Sequence, residues 1–451
     1  MKVLLVVGTL ALVVGCSSNS STGGSGGGAG TAGTGGSSGS GGGAGTAGTG
    51  GSSGSGGNAG SAGTAGTGGS SGSGGNAGSA GSGGSAGTAG TGGSGGSGGS
   101  GGGTSTWKAG IPGTCGVGVP ALGKPANTSN PTTVVGTGTA ASCTFAKLSA
   151  AVTKGGIITF NCGKNPVTIP VTSTLDVPAT KDTVIDGGRL VTLDGQNSVR
   201  LLRFYSANFQ ANEHRLTLQH LRLVNAKTNP TEKIPTAPAP CSQGWNDGEG
   251  GALFMRDGNL SVVDCIFKNN RAAPVGPDTG GGALYVLGSK HGVVIADSTF
   301  DGNAASNAGA VGGLFAELDI YDSLFTGNKG TGHDANNNDP SKCSAINNNQ
   351  NEIGSGGNGG AIYSDGNSVD VNLCGDKIVS NAAGQNAFGG GLFFTSNNMQ
   401  GNLTIIDTTM TGNTGGHWTN VATGSVSNAG TAVGTNCHSI TITNSTLQGV
   451  P

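Results

Sequence analysis

Residues 250–270 read GGALFMRDGNLSVVDCIFKNN, and the reading of this stretch decides the fold. A Gly-Gly pair enters a short apolar strand. An alternating strand follows and closes on Phe-x-x-Asn. The pattern recurs: Gly281-Gly282-Ala283-Leu284-Tyr285 leads to 293–303 (VVIADSTFDGN), and Gly312-Gly313-Leu314-Phe315 leads to 318–328 (LDIYDSLFTGN). Gly359-Gly360-Ala361-Ile362-Tyr363 leads to a looser copy ending Ile378-Val379-Ser380-Asn381. Gly390-Gly391-Leu392-Phe393-Phe394 leads to 403–413 (LTIIDTTMTGN), and a worn copy spans 430–450. Self-similarity at this spacing outranks other local signals, because it sets the architecture of the whole region.

Apolar and polar residues alternate in 293–300, which is strand rather than helix periodicity. Each strand is too short to bury a face alone, so copies must stack into a parallel ladder with a continuous core. Glycine before the strand permits positive φ or a close approach of neighbouring coils. The Phe is expected to stack inside. The Asn is expected to take the left-handed corner, with stacked Asn side chains hydrogen-bonding along the ladder. These requirements predict an all-β chain: a right-handed parallel β-helix over 166–451, preceded by a capping region over 106–165.

The paired Gly-Gly-Ala-Ile/Leu and Phe-x-x-Asn motifs resemble the repeats of polymorphic outer-membrane proteins, bacterial surface adhesins. The resemblance covers about Gly250 to Asn413. It implies a surface-exposed solenoid with a binding role. Those proteins resemble autotransporters with a terminal membrane barrel, whereas this sequence ends at Pro451, directly after a repeat strand, and the family's export route is not carried over.

Composition separates the chain into unlike parts. Ninety-five of 451 residues are glycine and only 10% are charged, with 21 basic against 23 acidic side chains. That balance gives no electrostatic case for nucleic acid. Met1-Lys2-Val3 opens an apolar run to Val14, too short to span a bilayer and of signal-peptide length. Val13-Val14-Gly15-Cys16 resembles a bacterial lipobox, which implies that residues 1–16 are a lipoprotein signal with Cys16 lipidated. Ser17 and Ser18 follow with no Asp, which resembles outer-membrane sorting; a plain secretory signal is the alternative. Residues 17–105 are a Gly/Ser/Ala/Thr tract without a charged or large apolar side chain. Such a segment cannot form a core and is expected to be a disordered tether, its ends roughly 50 Å apart. Residues 144–152 (TFAKLSAAV) carry helical spacing and are expected to cap the first coil, and 157–161 (IITFN) to start the ladder.

The segments between each Asn and the next Gly-Gly vary widely in length: 226–249, 271–280, 304–311, 329–358, 382–388 and 414–429. Insertions at one corner of a stack build one continuous surface, where solenoids place function. Trp245 and Trp418 lie there, able to stack on sugar or to anchor packing. Asp247, Glu249 and Asp278 lie there too, as candidates for catalysis or Ca²⁺, with ordinary loop charges the alternative. A second acidic set, Asp264, Asp297, Asp322 and Asp407, falls three residues before each Phe or Met, and Asn444 takes that place in the last copy. Stacking would bring these about 5 Å apart. They read either as a carboxylate ladder for Ca²⁺ or acid–base work, or as corner residues accepting backbone N–H groups, and the second is favoured because Asn substitutes.

Eight cysteines besides Cys16 suggest disulfides in an exported chain, with Cys143–Cys162 and Cys343–Cys374 the preferred pairs. No close Cys-x-x-Cys spacing points to metal, and no resident cofactor is implied. Right-handed β-helices also include pectate lyases and polygalacturonases. The hydrolases among them resemble one another in Asn-Thr-Asp, Asp-Asp and Gly-His-Gly motifs, and this chain has neither Asp-Asp nor Gly-His-Gly. Fold alone does not grant that activity. The sequence therefore predicts a lipid-anchored, non-catalytic adhesin of the bacterial outer membrane that binds extracellular polysaccharide or another cell surface. A polysaccharide lyase or glycoside hydrolase is the alternative.

Overall fold

The computed structural model describes residues 107–231, 248–276, 279–333, 356–385, 387–415 and 437–448, and the backbone of 12–15 and 421–423. Expectations for Cys16, the tract 17–105, Trp245, Asp247, Asp278, Cys343 and Trp418 fall outside the described residues.

The repeats build a parallel β-helix. One side is an eight-stranded sheet that includes Leu202–Tyr205, Leu253–Arg256, Leu284–Leu287, Val311–Leu314, Ile362–Gly366 and Leu392–Ser396. The longer sheet bends into two rows. Val293–Ala296 and Leu318–Tyr321 belong to the first row, and Thr299–Asp301 and Leu324–Thr326 to the second. Thr183–Asp194 and Arg215–Val224 run through both rows.

Each coil turns the bend on one left-handed residue: Asp264, Asp297, Asp322 and Asp407 have φ of 49–50°, and His220 and Asn444 do the same at 52° and 47°. The corner placement of these aspartates therefore holds, and Asp322 and Asp407 accept backbone N–H groups as expected, whereas Asp264 takes side-chain donors. Asp and Asn tolerate this region better than most residues.

Inside, Phe267, Phe300 and Phe325 stack with centroids 4.9 and 4.7 Å apart and planes within 6° of parallel. Offset aromatic stacking adds about 1 kcal/mol per pair beyond burial. Asn270, Asn303, Asn328, Asn381 and Asn413 form the expected ladder, Nδ2 to the next Oδ1 at 2.8–3.0 Å, and all are buried. The left-handed position is not theirs. It belongs to the preceding residue (Asn269, Gly302, Gly327, Ser380 or Gly412), because each ladder Asn must point inward to bridge coils.

The Gly-Gly pairs also need a correction. Strand register aligns Leu284 with Val311 and Tyr285 with Gly312, so the third copy enters through Ala308-Gly309 and not Gly312-Gly313. Likewise Leu392 aligns with Ile362, making Gly389-Gly390 the pair of the fifth copy. The first residue of each pair is left-handed (Gly250 59°, Gly281 69°, Ala308 48°, Gly359 71°, Gly389 68°). A Cβ on the second would meet the next coil's carbonyl oxygen at 2.1–2.3 Å, as at Gly251, Gly282, Gly309 and Gly360. Close approach between coils is what requires glycine there.

The cap helix spans Phe145–Lys154, with Thr144 accepting from Lys147 N and Leu148, Ala151 and Val152 buried on the first coil. The Cys143–Cys162 disulfide forms as expected. The ladder begins one rung earlier than expected, because Thr133–Val135 pairs in parallel with 158–160. At the other end Leu12–Gly15 pairs antiparallel with 439–442.

Residues 107–128, expected to belong to the cap, run lengthwise along the bend of the long sheet instead. The outgoing leg starts at Asp264, which accepts from Trp107 Nε1 at 2.5 Å, and ends at Asp407, which accepts from Gly116 N at 2.8 Å. The return leg passes Val294 and Ala296 at Gly123, Gln219 at Ala126 and Asp186 at Thr128. Cys115 is bonded to Cys374, so the Cys343–Cys374 pair is wrong: the lengthwise segment brings Cys115 to the end of the strand Val371–Cys374. Cys265 is a free, fully buried thiol, raised well above its ordinary pKa by burial.

Candidate functional site

The eight-stranded sheet presents two rows of side chains outward, because alternate residues along each strand face the core. Register places Arg203, Phe254, Tyr285, Gly312, Tyr363 and Phe393 in the row nearer the Gly-Gly corner. Among them Phe254 and Tyr285 stack at 6.4 Å, Tyr363 and Phe393 at 5.3 Å. Phe254, Tyr285, Tyr363 and Phe393 are buried, and Phe388, from an inter-copy segment, packs with Tyr363 and Phe393.

The second row reads Tyr205, Arg256, Leu287, Leu314, Asp365 and Thr395 in the same register. It is more open. Tyr205 is 55% exposed, and Arg256, Leu287, Leu314 and Asp365 are partly exposed. The turn 206–214 brings Phe209, 42% exposed, against this row. The Arg256 guanidinium lies 5.3 Å from the Tyr205 ring and 5.8 Å from the Phe209 ring, while Phe209 meets Phe315 edge-on at 5.9 Å. Arg256 is fixed by a hydrogen bond to the Ser206 carbonyl. Asp257 holds the turn by accepting from Ser206 Oγ and Ala211 N. The result is a rigid cation–aromatic platform at one end of a shallow strip, with successive positions about 4.8 Å apart along the stack.

Asp365 sits at the other end of the strip. Burial raises its carboxyl above the usual range, opposed by hydrogen bonds from Tyr363 Oη at 2.9 Å and Asn397 Nδ2 at 2.8 Å.

Of the sequence candidates on the insertion side, Glu249 is described and is buried at the root of its segment. Arg200 binds the backbone there, Nη2 to Glu249 O at 2.6 Å and Nε to Gly250 O at 3.0 Å, with its guanidinium 5.3 Å from Phe254. Glu249 thus lies beside the buried aromatic row rather than on an open surface. The basic residues near the repeats are engaged locally. Lys290 and His291 bind Glu213, Lys268 binds Asp301 at 2.7 Å, and Arg271 binds the carbonyls of Asn270 and Gly302.

The corner side chains of Asp264, Asp322 and Asp407 are occupied by the lengthwise segment. Asp322 accepts from Gly113 N at 2.9 Å, Cys115 N at 2.5 Å and Thr114 Oγ1 at 2.8 Å, and Asp264 also receives Arg189 Nε at 2.6 Å. Gly375 interrupts the row in the coil that carries Cys374. Among the described residues no three His, Cys, Asp or Glu side chains form a group able to hold a metal ion.

Sequence reasoning placed the functional surface on the insertions and missed Tyr205, Phe209 and Phe315. The available signal was the outward parity of Tyr205 within LRFY; Phe209 lies in a turn of a coil without the Gly-Gly signature. No family model, curated protein or solved structure matches this chain.

Proposed function

We propose that the protein is a cell-surface binding protein that holds an extended polymer, a polysaccharide first, along the second outward row of the eight-stranded sheet. The observation that carries this reading is the Tyr205–Arg256–Phe209 platform, two exposed rings, one on the sheet and one in the 206–214 turn, flanking one guanidinium. Exposed aromatic rings clustered on one surface mark interaction sites more often than solvent-facing decoration. The stacked strands repeat at one interval along the axis, which suits a ligand that is itself a linear repeat. The lipobox-like Val13-Val14-Gly15-Cys16 and the Gly/Ser tract support attachment through lipid on Cys16 to a bacterial outer membrane, with the folded part held outward; cleavage before Cys16 would remove the 12–15 strand from its pairing with 439–442.

Polysaccharide cleavage is the second reading, and Asp365 is the observation behind it. A carboxyl raised by burial, bonded to a tyrosine hydroxyl and lying on the same strip, has the character of a general acid.

The test uses the purified protein with a panel of polysaccharides, Ca²⁺ present, following co-sedimentation and polymer chain length over time. Co-sedimentation of a polymer with unchanged chain length supports binding. Shortening that disappears in Asp365→Asn replaces the binding reading with the enzymatic one.

A further inference from the structure

We propose that residues 107–128 are a detachable strap, locked to the flank of the β-helix by the Cys115–Cys374 disulfide, whose release lengthens the connection between the β-helix and the chain before residue 107. The strap is not part of either sheet. Across its length, among the described residues, one backbone-to-backbone hydrogen bond joins it to the coils, from Ile111 N to Asp322 O at 2.8 Å. Its remaining polar grip runs through side chains: Trp107 on Asp264, Gly110 N on Thr299 Oγ1 at 2.9 Å, the three donors on Asp322, Thr114 Oγ1 also on Gly375 O, Gly116 on Asp407, Ala126 on Gln219 and Thr128 on Asp186. Trp107 is also covered by Arg222, whose guanidinium lies 4.3 Å from the ring.

The coils do not depend on those bonds. Their parallel ladders, Phe stack and Asn ladder are complete beneath the strap. The strap also contributes little core. Val117 and Leu122 are 72% and 48% exposed, and burial is confined to positions such as Ala109, Gly110, Cys115 and Gly123. Gly110 shows how closely the strap is seated, since a Cβ there would meet the Asp297 backbone at 2.3 Å. The carboxylates that hold it are buried beneath it, Asp264 at 8% and Asp322 at 3% exposure, and release of the strap opens them to water, which replaces each hydrogen bond at small net cost. The disulfide therefore dominates its retention.

The position of the strap gives the lock its consequence. Residue 107 lies at the coil of Asp264, partway along the stack, and not at the cap. With the strap fastened, residue 107 is held on the flank. Reduction by a dithiol breaks the Cys115–Cys374 bond, leaves two thiols here and converts the dithiol to its own disulfide. The freed residues then add up to about 70 Å of reach when fully extended.

Hydrogen exchange read by mass spectrometry tests this on the full chain, wild type against Cys115→Ser/Cys374→Ser. The expected result is exchange about tenfold faster or more in peptides covering 107–128, with the coils 259–330 unchanged. Strap amides that stay protected in the double variant overturn the lock. Loss of protection in the coils together with the strap overturns detachability. Wild type treated with dithiothreitol gives the same reading without substitution: exchange must rise in 107–128 and not in 259–330.

Discussion

The side chain of Asn303 donates through Nδ2 to Asn328 Oδ1 at 2.9 Å, and the Asn303 backbone N–H reaches the same oxygen at 3.0 Å. Asn303 Oδ1 in turn accepts both donors of Asn270. Every coil boundary in this region is therefore closed by one buried amide that serves two coils.

Replacing Asn303 with Ala removes the acceptor for two buried N–H groups of Asn270 and leaves a small cavity. Unsatisfied buried donors cost about 1–3 kcal/mol each, so a loss of about 3 kcal/mol is expected. Urea unfolding compared with wild type measures it. An unchanged midpoint contradicts the role given to the ladder.

Phe300 is fully buried between Phe267 and Phe325. Phe300→Ala is expected to cost about 3–5 kcal/mol through lost transfer energy and an internal cavity. Phe300→Leu, which matches the aliphatic Leu223, Ile378 and Met410 at the equivalent level of other coils, is expected to cost clearly less. The two melting temperatures decide.

Asp297 titrates in an unusual range. Burial, then the charges of Asp322 and Asp264, raise its carboxyl to about 6, with Arg189 opposing. The strap residue Gly110 packs on its backbone and Oδ1 has no hydrogen-bond partner. A carboxyl whose folded pKa is raised contributes stability that is complete below its unfolded value of 3.8 and lost as pH rises through about 6. Because the group is partly exposed, the loss is on the order of 1 kcal/mol. Asp297→Asn is expected to remove this component, so its melting temperature should gain on wild type between pH 4 and pH 7. A gap that does not change with pH contradicts the assignment.

Gly282→Ala places a methyl 2.2 Å from Gly309 O, whereas Gly313→Ala meets nothing nearer than the Leu318 side chain at 3.2 Å. The first substitution is expected to lower the melting temperature several degrees more than the second. The reverse order would restore Gly312-Gly313 as the entry pair.

The stacked Phe and Asn rows were legible because strand period and repeat spacing each demand an inward large apolar residue and a recurring polar one. The third copy was misplaced because Ala308 holds a left-handed angle that glycine usually supplies, while Gly312-Gly313 imitates the motif inside the strand. The Cys115–Cys374 pair, 259 residues apart, could not be read without the strap's path, and nothing in its Pro- and Gly-rich sequence announces that path. The role of Arg256 was not legible in the sequence, since its aromatic partners come from a neighbouring coil and a turn.

The most direct test of the account titrates wild type and Tyr205→Ala/Phe209→Ala with whichever polysaccharide co-sediments with the protein. Both rings are substantially exposed, so the variant should keep the wild-type melting temperature within a few degrees. The account predicts binding weakened about tenfold or more by loss of ring contacts, with the polymer's length unchanged. Undiminished affinity in a folded double variant would contradict it and move the binding surface away from this sheet.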